Sequence, residues 1–435
     1  MSIEPKLYRG MRDILPERML VRERLLIKVR EIFRLWGFAP IATPAIEFKE
    51  ILAGKYGDMA DRLIYSIEHK DGLALRYDLT VPLARVVAMY GNELPKPFRR
   101  YQIQEVWRAE RAQPRRGRFR EFLQCDVDTV GASSPVADAE VLALSVAILK
   151  EIGFPGAVTR LNHRALLRGL MEEFGFDSER EIEVCRIVDK LDKIGEEGVR
   201  EELGNAGCSS ESVEKLMATI LREGDRDDLL DYVERSFGEN ARIVHGVSEL
   251  REIIRLASGF GADEESIRID LSLSRGLDYY TGSIFESFLP KQPHIGSLTG
   301  GGRYDNLIGL FSKQEIPAVG ITIGLDRMIA ALEDAGKIEG VKTPTRVLVT
   351  VFDENLLGSS IEIARKIRES GIPSEVYLEP KRLKKQFSYA DSLGIPFVLI
   401  VGEDEIAGSV YSLKNMATGE QQTVDFAELL KILSK

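Results

Sequence analysis

Cysteine is scarce: three residues in 435 (Cys125, Cys185, Cys208), widely spaced, form neither a disulfide framework nor a thiolate metal site. Cys125 lies among strand-like neighbours and is expected as a small buried thiol, which fits a reducing cytoplasm. Histidine is nearly as rare. His69, His163, His245 and His294 are scattered with no metal-ligand spacing, and each is expected on the surface or in a loop. No apolar run is long enough to span a bilayer. The opening Met1-Ser-Ile-Glu-Pro-Lys-Leu-Tyr-Arg9 carries neither the apolar core of a secretory signal nor an Arg/Ser-rich transit pattern. A cytoplasmic protein without membrane association is expected. A basic excess is missing too: the net charge of −10 argues against a general nucleic-acid coat, although a local patch can still bind RNA. Phosphate-binding glycine motifs are absent. Neither Gly54-Lys55 nor Gly336-Lys337 belongs to a GxxxxGK[ST] loop, and Gly300-Gly-Gly302 has the wrong sequel for a dinucleotide fingerprint.

What is present is ordinary for a globular chain, 44% hydrophobic and 29% charged, and long enough for two to four domains. Leu20, Leu25, Val29, Ile32, Phe33 and Trp36 mark a helix stopped by Gly37. Phe38 to Glu47 reads as an extended strand broken by prolines. Tyr101–Trp107 and Phe119–Val130 read as a long antiparallel hairpin, and Pro135–Leu149 as a helix. From about Arg164 to Leu256 charged helical segments dominate, among them 179–194 and 212–221, as in a helical insertion. Pro317 to Arg327 reads as a strand running into a helix. After a linker near 336–345, the strands 347–351, 374–377 and 396–401 alternate with helices 361–370 and 383–393, a small parallel sheet with helices over it.

A nucleotide enzyme built from this chain has arginines, with bridging Mg²⁺, to hold phosphates. Eight arginines fall between Arg99 and Arg120, threaded through strand-like sequence with aromatics. Strand alternation puts Arg118, Arg120, Phe122, Gln124, Asp126 and Asp128 on one face and mostly apolar residues on the other. That face is read as a ligand face, since a solvated one rarely sets Phe beside Arg. Arg108 and Glu110 sit at the end of the partner strand. Asp78 and Thr80 read as one strand face, suited to an ammonium group as a charged acceptor beside a hydroxyl; the other reading is a cap on the helix after Pro82.

These segments resemble the class II aminoacyl-tRNA synthetases and, among them, the histidyl-tRNA synthetase family. Gly37–Pro44, the pair 106–110 with 117–124, and Gly320–Arg327 resemble the three class motifs. Arg275-Gly-Leu-Asp-Tyr-Tyr280, Gly300-Gly-Gly-Arg-Tyr304-Asp and Tyr8–Pro16 resemble family segments. The resemblance covers essentially the whole chain. It implies an α+β fold: a class II antiparallel sheet with flanking helices and a helical insertion, then a small α/β anticodon-binding domain. The implied divisions are a catalytic domain at 1–165 plus 257–335, an insertion at 166–256, a linker at 336–345 and the anticodon domain at 346–435.

The implied activity is ligation of L-histidine to tRNA(His) with ATP and Mg²⁺, the ion carried on the nucleotide's phosphates. Arg108 meets the α-phosphate, Arg118 the outer phosphates, and Glu110 the adenine or the tRNA end. Phe122 and Arg327 sandwich the adenine. Asp78, Thr80 and Gln124 hold the histidine ammonium, while Asp128, Tyr279, Tyr280 and Tyr304 surround the imidazole. Arg275 lies between the histidine carboxylate and the α-phosphate, where other class II enzymes place a metal; Arg108 and Arg275 are the catalytic pair. Asp78 and Asp128, where the bacterial branch carries Glu, point to the archaeal and eukaryotic branch. Arg111, Gln113, Arg115 and Arg116 in the second-motif loop, and Lys381, Arg382, Lys384 and Lys385 in the last domain, are candidate tRNA contacts, although such basic runs are also commonly just solvated. A homodimer through the Pro44 strand is implied. The competing expectation is a non-aminoacylating regulatory subunit of ATP-phosphoribosyltransferase, which lacks the last domain and the catalytic arginines.

Overall fold

The computed structural model describes residues 3–54, 62–274, 280–312, 314–338, 340 and 342–434. The chain divides into two compact units, Met1–Arg12 with Leu25–Lys337, and Asp13–Arg24 with Ile338–Lys435.

The first unit holds strands β1 (Ala39–Pro40), β2 (Ile46–Phe48), β3 (Tyr65–Ser66), β4 (Leu73–Leu75), β5 (Phe98–Trp107), β6 (Glu121–Val130), β7 (Val158–His163), β8 (Ile267–Ile269), β9 (Ser283–Phe288), β10 (Thr299–Arg303) and β11 (Ala318–Ile323). Eight of them form one sheet in the order β1-β5-β6-β11-β10-β9-β7-β8. Neighbours run antiparallel except at its two edges, where β1 joins β5 and β8 joins β7 in parallel. A small antiparallel sheet, β2-β4-β3, stands apart. The expected hairpin is present and in register from Phe98 opposite Val130 to Trp107 opposite Glu121.

Period-two alternation sorts the large sheet into two unlike faces. Val127, Ile321 and Phe285 are buried on one. The helix Pro135–Ile152 covers that face, its Ser145 hydroxyl meeting Thr299 at 3.1 Å. Pro135 and the Ser134 side chain, which accepts from the Val136 amide, start this helix, and Gly153 closes it. Its apolar side, including Leu142 and Ile148, is fully buried, each such residue contributing about 1.5–3 kcal/mol. The opposite face carries Arg100, Gln102 and Gln104 on β5, Phe122, Gln124, Asp126 and Asp128 on β6, and Thr322 and Gly320 on β11, paired across the strands.

Several sequence expectations are corrected. The helix read over 179–194 is two, Ser178–Val188 and Leu191–Asn205, the second broken at Gly195 with φ 71°. The residues 38–47 do not make one strand: β1 and β2 enter different sheets. His163 is not a surface residue. It is buried at the end of β7, where its Nδ1 accepts from the Ala165 amide at 3.1 Å and caps the helix Arg164–Glu173. Burial, with His245 nearby, pushes its pKa down to about 3.

The second unit contains β12 (Val347–Val349), β13 (Ser374–Val376), β14 (Phe397–Ile400), β15 (Tyr411–Asn415) and β16 (Gln421–Val424), ordered β13-β12-β14-β15-β16. The three parallel strands and the helices Leu357–Glu369 and Leu383–Leu393 match the alternating pattern. The antiparallel β15–β16 pair extends that sheet beyond what the pattern predicts. Val347, Val349, Ile363, Ile367, Leu399, Leu413 and Leu429 form its core.

Candidate active site

The polar sheet face opens into a cleft of about 440 Å³ lined by Arg108, Glu110, Arg118, Phe122, Gln124, Tyr280, Glu286, Thr322 and Arg327, with Ser297–Gly301 along one wall. The hairpin delivers the first five. Arg108 follows β5, donates from Nε to the Tyr77 carbonyl at 2.9 Å and from Nη2 to Gln124 Oε1 at 3.2 Å, and lies 5.0 Å over the Phe122 ring. Arg118 forks onto Glu110, Nε to Oε1 at 2.9 Å and Nη2 to Oε2 at 2.5 Å. A bidentate pair of this kind fixes both side chains more firmly than a single charged contact. The loop between the strands passes the helix Leu325–Asp334 so closely that a Cβ on Gly117, whose φ is 66°, would lie 2.6 Å from the Asp326 carbonyl oxygen. Arg327, in the first turn of that helix, donates from Nη1 to the Ser297 carbonyl at 2.6 Å and hydroxyl at 2.9 Å.

Deeper along the face the chemistry changes from guanidinium to carboxylate. Arg100, fully buried, pairs with Asp128 at 2.6 Å, and the Tyr304 hydroxyl donates to the same carboxylate. Asp126 accepts from Gln124 Nε2 at 3.0 Å. Burial drives these carboxyls upward: Asp126 to about 7 and Asp78 to about 6, with Arg100 working against the shift in the first and Arg108 in the second. Asp128 is raised as well, Arg100 and Tyr304 opposing the effect of burial. The Tyr304 phenol is pushed well above its ordinary value by burial and then by the Asp128 charge. This end of the site is made possible by a strand glycine: a Cβ on Gly320 would sit 1.9 Å from Asp128 Oδ1.

The structure therefore brings Arg108, Glu110, Arg118, Phe122, Gln124, Tyr280 and Arg327 to one cleft, with Asp128 and Tyr304 bonded together beside it. Arg275 and Tyr279 lie outside the described residues. Two readings are corrected. Asp78 and Thr80 are not on a strand: Thr80 starts the helix Thr80–Tyr90, and Asp78 Oδ1 accepts from the Val81 amide at 3.3 Å, the capping alternative. Arg120 is not on the ligand face, because β6 begins at Glu121; Arg120 instead donates to the carbonyls of Glu110 and Arg9 and stacks 5.2 Å from the Tyr8 ring. Arg111, Arg115 and Arg116 are exposed around the turn Pro114–Arg116, with Gln113 half-buried before it. Lys381, Arg382, Lys384 and Lys385 are exposed at the start of the helix Leu383–Leu393.

Arg100, Glu286 and Thr322 were not singled out as site residues in the sequence, and Asp126 was placed on the ligand face without a role, yet all four share this face. The signal for Arg100 was its even spacing from Gln102 and Gln104, which places it opposite Asp128 once the hairpin is in register.

An eight-stranded, mainly antiparallel sheet whose hairpin carries arginines into a cleft closed by a strand–helix arginine is the arrangement of a class II aminoacyl-tRNA synthetase. The histidyl-tRNA synthetase family model matches residues 10–328 and the anticodon binding domain model residues 346–435, and the chain belongs to the histidyl-tRNA synthetase family. It is similar to the histidine–tRNA ligases of Rhodopirellula baltica (42% identical, 98% of this chain and 96% of the relative) and Aeropyrum pernix (42%, 99% and 98%). The crystal structure of histidyl-tRNA synthetase from Nostoc sp. PCC 7120 superposes with a TM-score of 0.90 at 34% identity, covering 100% of this chain and 99% of that one. A Bacillus halodurans structure described as an ATP phosphoribosyltransferase regulatory subunit/histidyl-tRNA synthetase matches with a TM-score of 0.74 at 25% identity, covering 89% and 97%.

Proposed function

We propose that this chain ligates L-histidine to tRNA(His) in two steps. The histidine carboxylate oxygen bonds to the α-phosphorus of ATP as pyrophosphate leaves; the terminal ribose hydroxyl of the tRNA then attacks the carbonyl carbon of histidyl-adenylate, and AMP leaves. The observation that carries this reading is the graded polar face, guanidinium at the open end and buried carboxylate at the other, which suits a phosphate chain beside a doubly nitrogenous amino acid.

Arg108, already braced by the Tyr77 carbonyl and Gln124, meets the α-phosphate and stabilises the charge of the in-line transition state. Phe122 and Arg327 take the adenine between a ring and a guanidinium plane. Arg118 reaches the outer phosphates while Glu110 holds its fork. Gln124 Oε1, with Asp78 and Thr80, accepts from the ammonium. Asp128, held by Arg100 and Tyr304, takes an imidazole N–H, with Tyr280 beside the ring, and the part of Tyr279 there rests on the family resemblance alone. The place of Arg275 against the two reacting anions rests on the family resemblance. Mg²⁺ arrives on the β- and γ-phosphates as part of the nucleotide; among the described residues no three His, Cys, Asp or Glu side chains converge to hold it, and the cleft's arginines fit a nucleotide that brings its own cation.

The exposed Arg111, Arg115 and Arg116, with the half-buried Gln113, meet the acceptor end, and the basic start of the helix Leu383–Leu393 meets the anticodon stem. A homodimer through the Pro44 segment and a cytoplasmic location complete the reading; among the described residues no helix is long and apolar enough to cross a membrane. The archaeal and eukaryotic branch is proposed from Asp78 and Asp128, although relatives from bacteria are equally similar.

Amino-acid-dependent ATP–pyrophosphate exchange tests the proposal. Exchange with histidine alone among the amino acids is expected. Exchange with a different amino acid overturns the specificity, and none at all returns the regulatory-subunit reading.

A further inference from the structure

Gln124 touches both ends of the polar face. Its Oε1 accepts from Arg108 Nη2 at 3.2 Å, and its Nε2 donates to Asp126 Oδ2 at 3.0 Å and lies 3.4 Å from the Thr322 hydroxyl. An amide looks almost the same in either orientation, and only its neighbours decide which end carries the acceptor. Arg108 can only donate and an ionised carboxylate can only accept, so the two together leave one orientation. Gln124 and Asp126 are each 2% exposed, so water does not compete for either partner.

We infer that Asp126 is a positioning residue for the amino-acid substrate: its carboxylate holds the Gln124 amide with the carbonyl oxygen turned toward Arg108 and the substrate ammonium. This deepens the ligase reading and rests on it. The groups around Asp126 come from every neighbouring strand: Arg100 and Gln102 from β5, Gln124 and Asp128 from β6, and Thr322 from β11, with Arg108, Asp78 and Tyr304 beyond them. Arg100 is the cation acting on Asp126, and it is already paired with Asp128, whose other oxygen accepts from the Tyr304 hydroxyl. Asp126 is thus held near the boundary between its two protonation states, its pKa raised to about 7 by burial and by Asp128. Above that pH it accepts only, and the amide is locked. Below it the carboxyl can donate to the amide oxygen, the amide can turn, and an NH₂ group then faces the substrate's cation.

The test is pyrophosphate exchange by the full-length wild type and by Asp126→Asn, with KM for histidine and for ATP measured from pH 6 to 8.5. At pH 8 the variant is expected to raise KM for histidine about tenfold, the value of one misdirected buried hydrogen bond, with kcat and KM for ATP within about twofold. The ratio of variant to wild-type KM for histidine should shrink toward one at pH 6, where the wild-type lock has loosened; titration of the substrate imidazole is common to both proteins and cancels. An unchanged KM for histidine, a pH-independent ratio, or parallel changes in kcat and KM for ATP overturns the inference. If Asp126→Asn melts without a cooperative transition, Thr322→Val replaces it. That variant removes a hydroxyl that stabilises the charged Asp126, so the break in KM for histidine should move to higher pH, and an unmoved break is the overturning result. Wild-type protein that shows no histidine-dependent exchange removes the ligase reading and this inference with it, an outcome distinct from the others.

Discussion

At one end of the polar sheet face three carboxyls, Asp78, Asp126 and Asp128, crowd around the buried Arg100; at the other, Arg108, Arg118 and Arg327 line a half-open cleft. The carboxylate end is closed, and the contacts linking Arg100, Asp128 and Tyr304, and Gln124 with Asp126, orient its groups before any substrate arrives, at a cost in desolvation that raises every carboxyl pKa there. The guanidinium end spends little on burial. Its arginines rest on carbonyls or on Glu110 and keep solvent on one side. Selection is built where water is absent, and charge is supplied where phosphates can enter.

The largest break in this contrast is expected from Arg100→Met. Removing the buried cation from among three carboxyls should lower unfolding stability by about 3–5 kcal/mol, read by urea denaturation; a change below about 1 kcal/mol would mean the carboxyls are already neutral. Next, Arg108→Ala should cut exchange by about 10²–10³ while leaving stability within about 1 kcal/mol. Equal losses of activity and stability would erase the distinction between the two ends.

Third is pH. Asp78 and Asp126 have folded-state pKa values of about 6 and about 7, above the model-peptide value of about 3.9 they take when unfolded. The folded protein then binds more protons than the unfolded chain, so stability should decline as pH rises from about 4 through 7. Thermal melts across that range check the sign, and Asp126→Asn should flatten the slope. The smallest effect is expected from Arg118→Ala. With its side chain 40% exposed, loss of its ion pair with Glu110 should cost no more than about 1 kcal/mol of stability and raise KM for ATP only severalfold; an effect as large as that of Arg108→Ala would place Arg118 at the reacting phosphorus.

The elements that read clearly in the sequence are those with one dominant period. The hairpin β5–β6, the helix Pro135–Ile152 and the strand–helix from Ala318 to Asp334 each carry an unbroken apolar pattern. Where two physical readings share one pattern, the sequence misleads. Asp-x-Thr serves a strand face and a helix cap alike, and at Asp78 the cap won. Arg120 continues an alternation that the backbone abandons one residue before the strand begins. Arg100 was hidden among seven other arginines because only the pairing of β5 with β6 separates the buried one from its neighbours. The signature 275–280 reads as a family mark with or without its neighbours, whereas the roles of Gln124 and Asp128 depend on partners far away in the chain.

Gly320 sets a direction on how this site can change. The depth of the carboxylate end there is fixed by bare backbone, and no substitution at that position can deepen it. Any side chain subtracts volume where Asp128 stands. Variation in which amino acid the site admits is thereby channelled to the surrounding phenols and carboxyls, which can be exchanged for other sizes, while the sheet beneath them accepts change only as a loss.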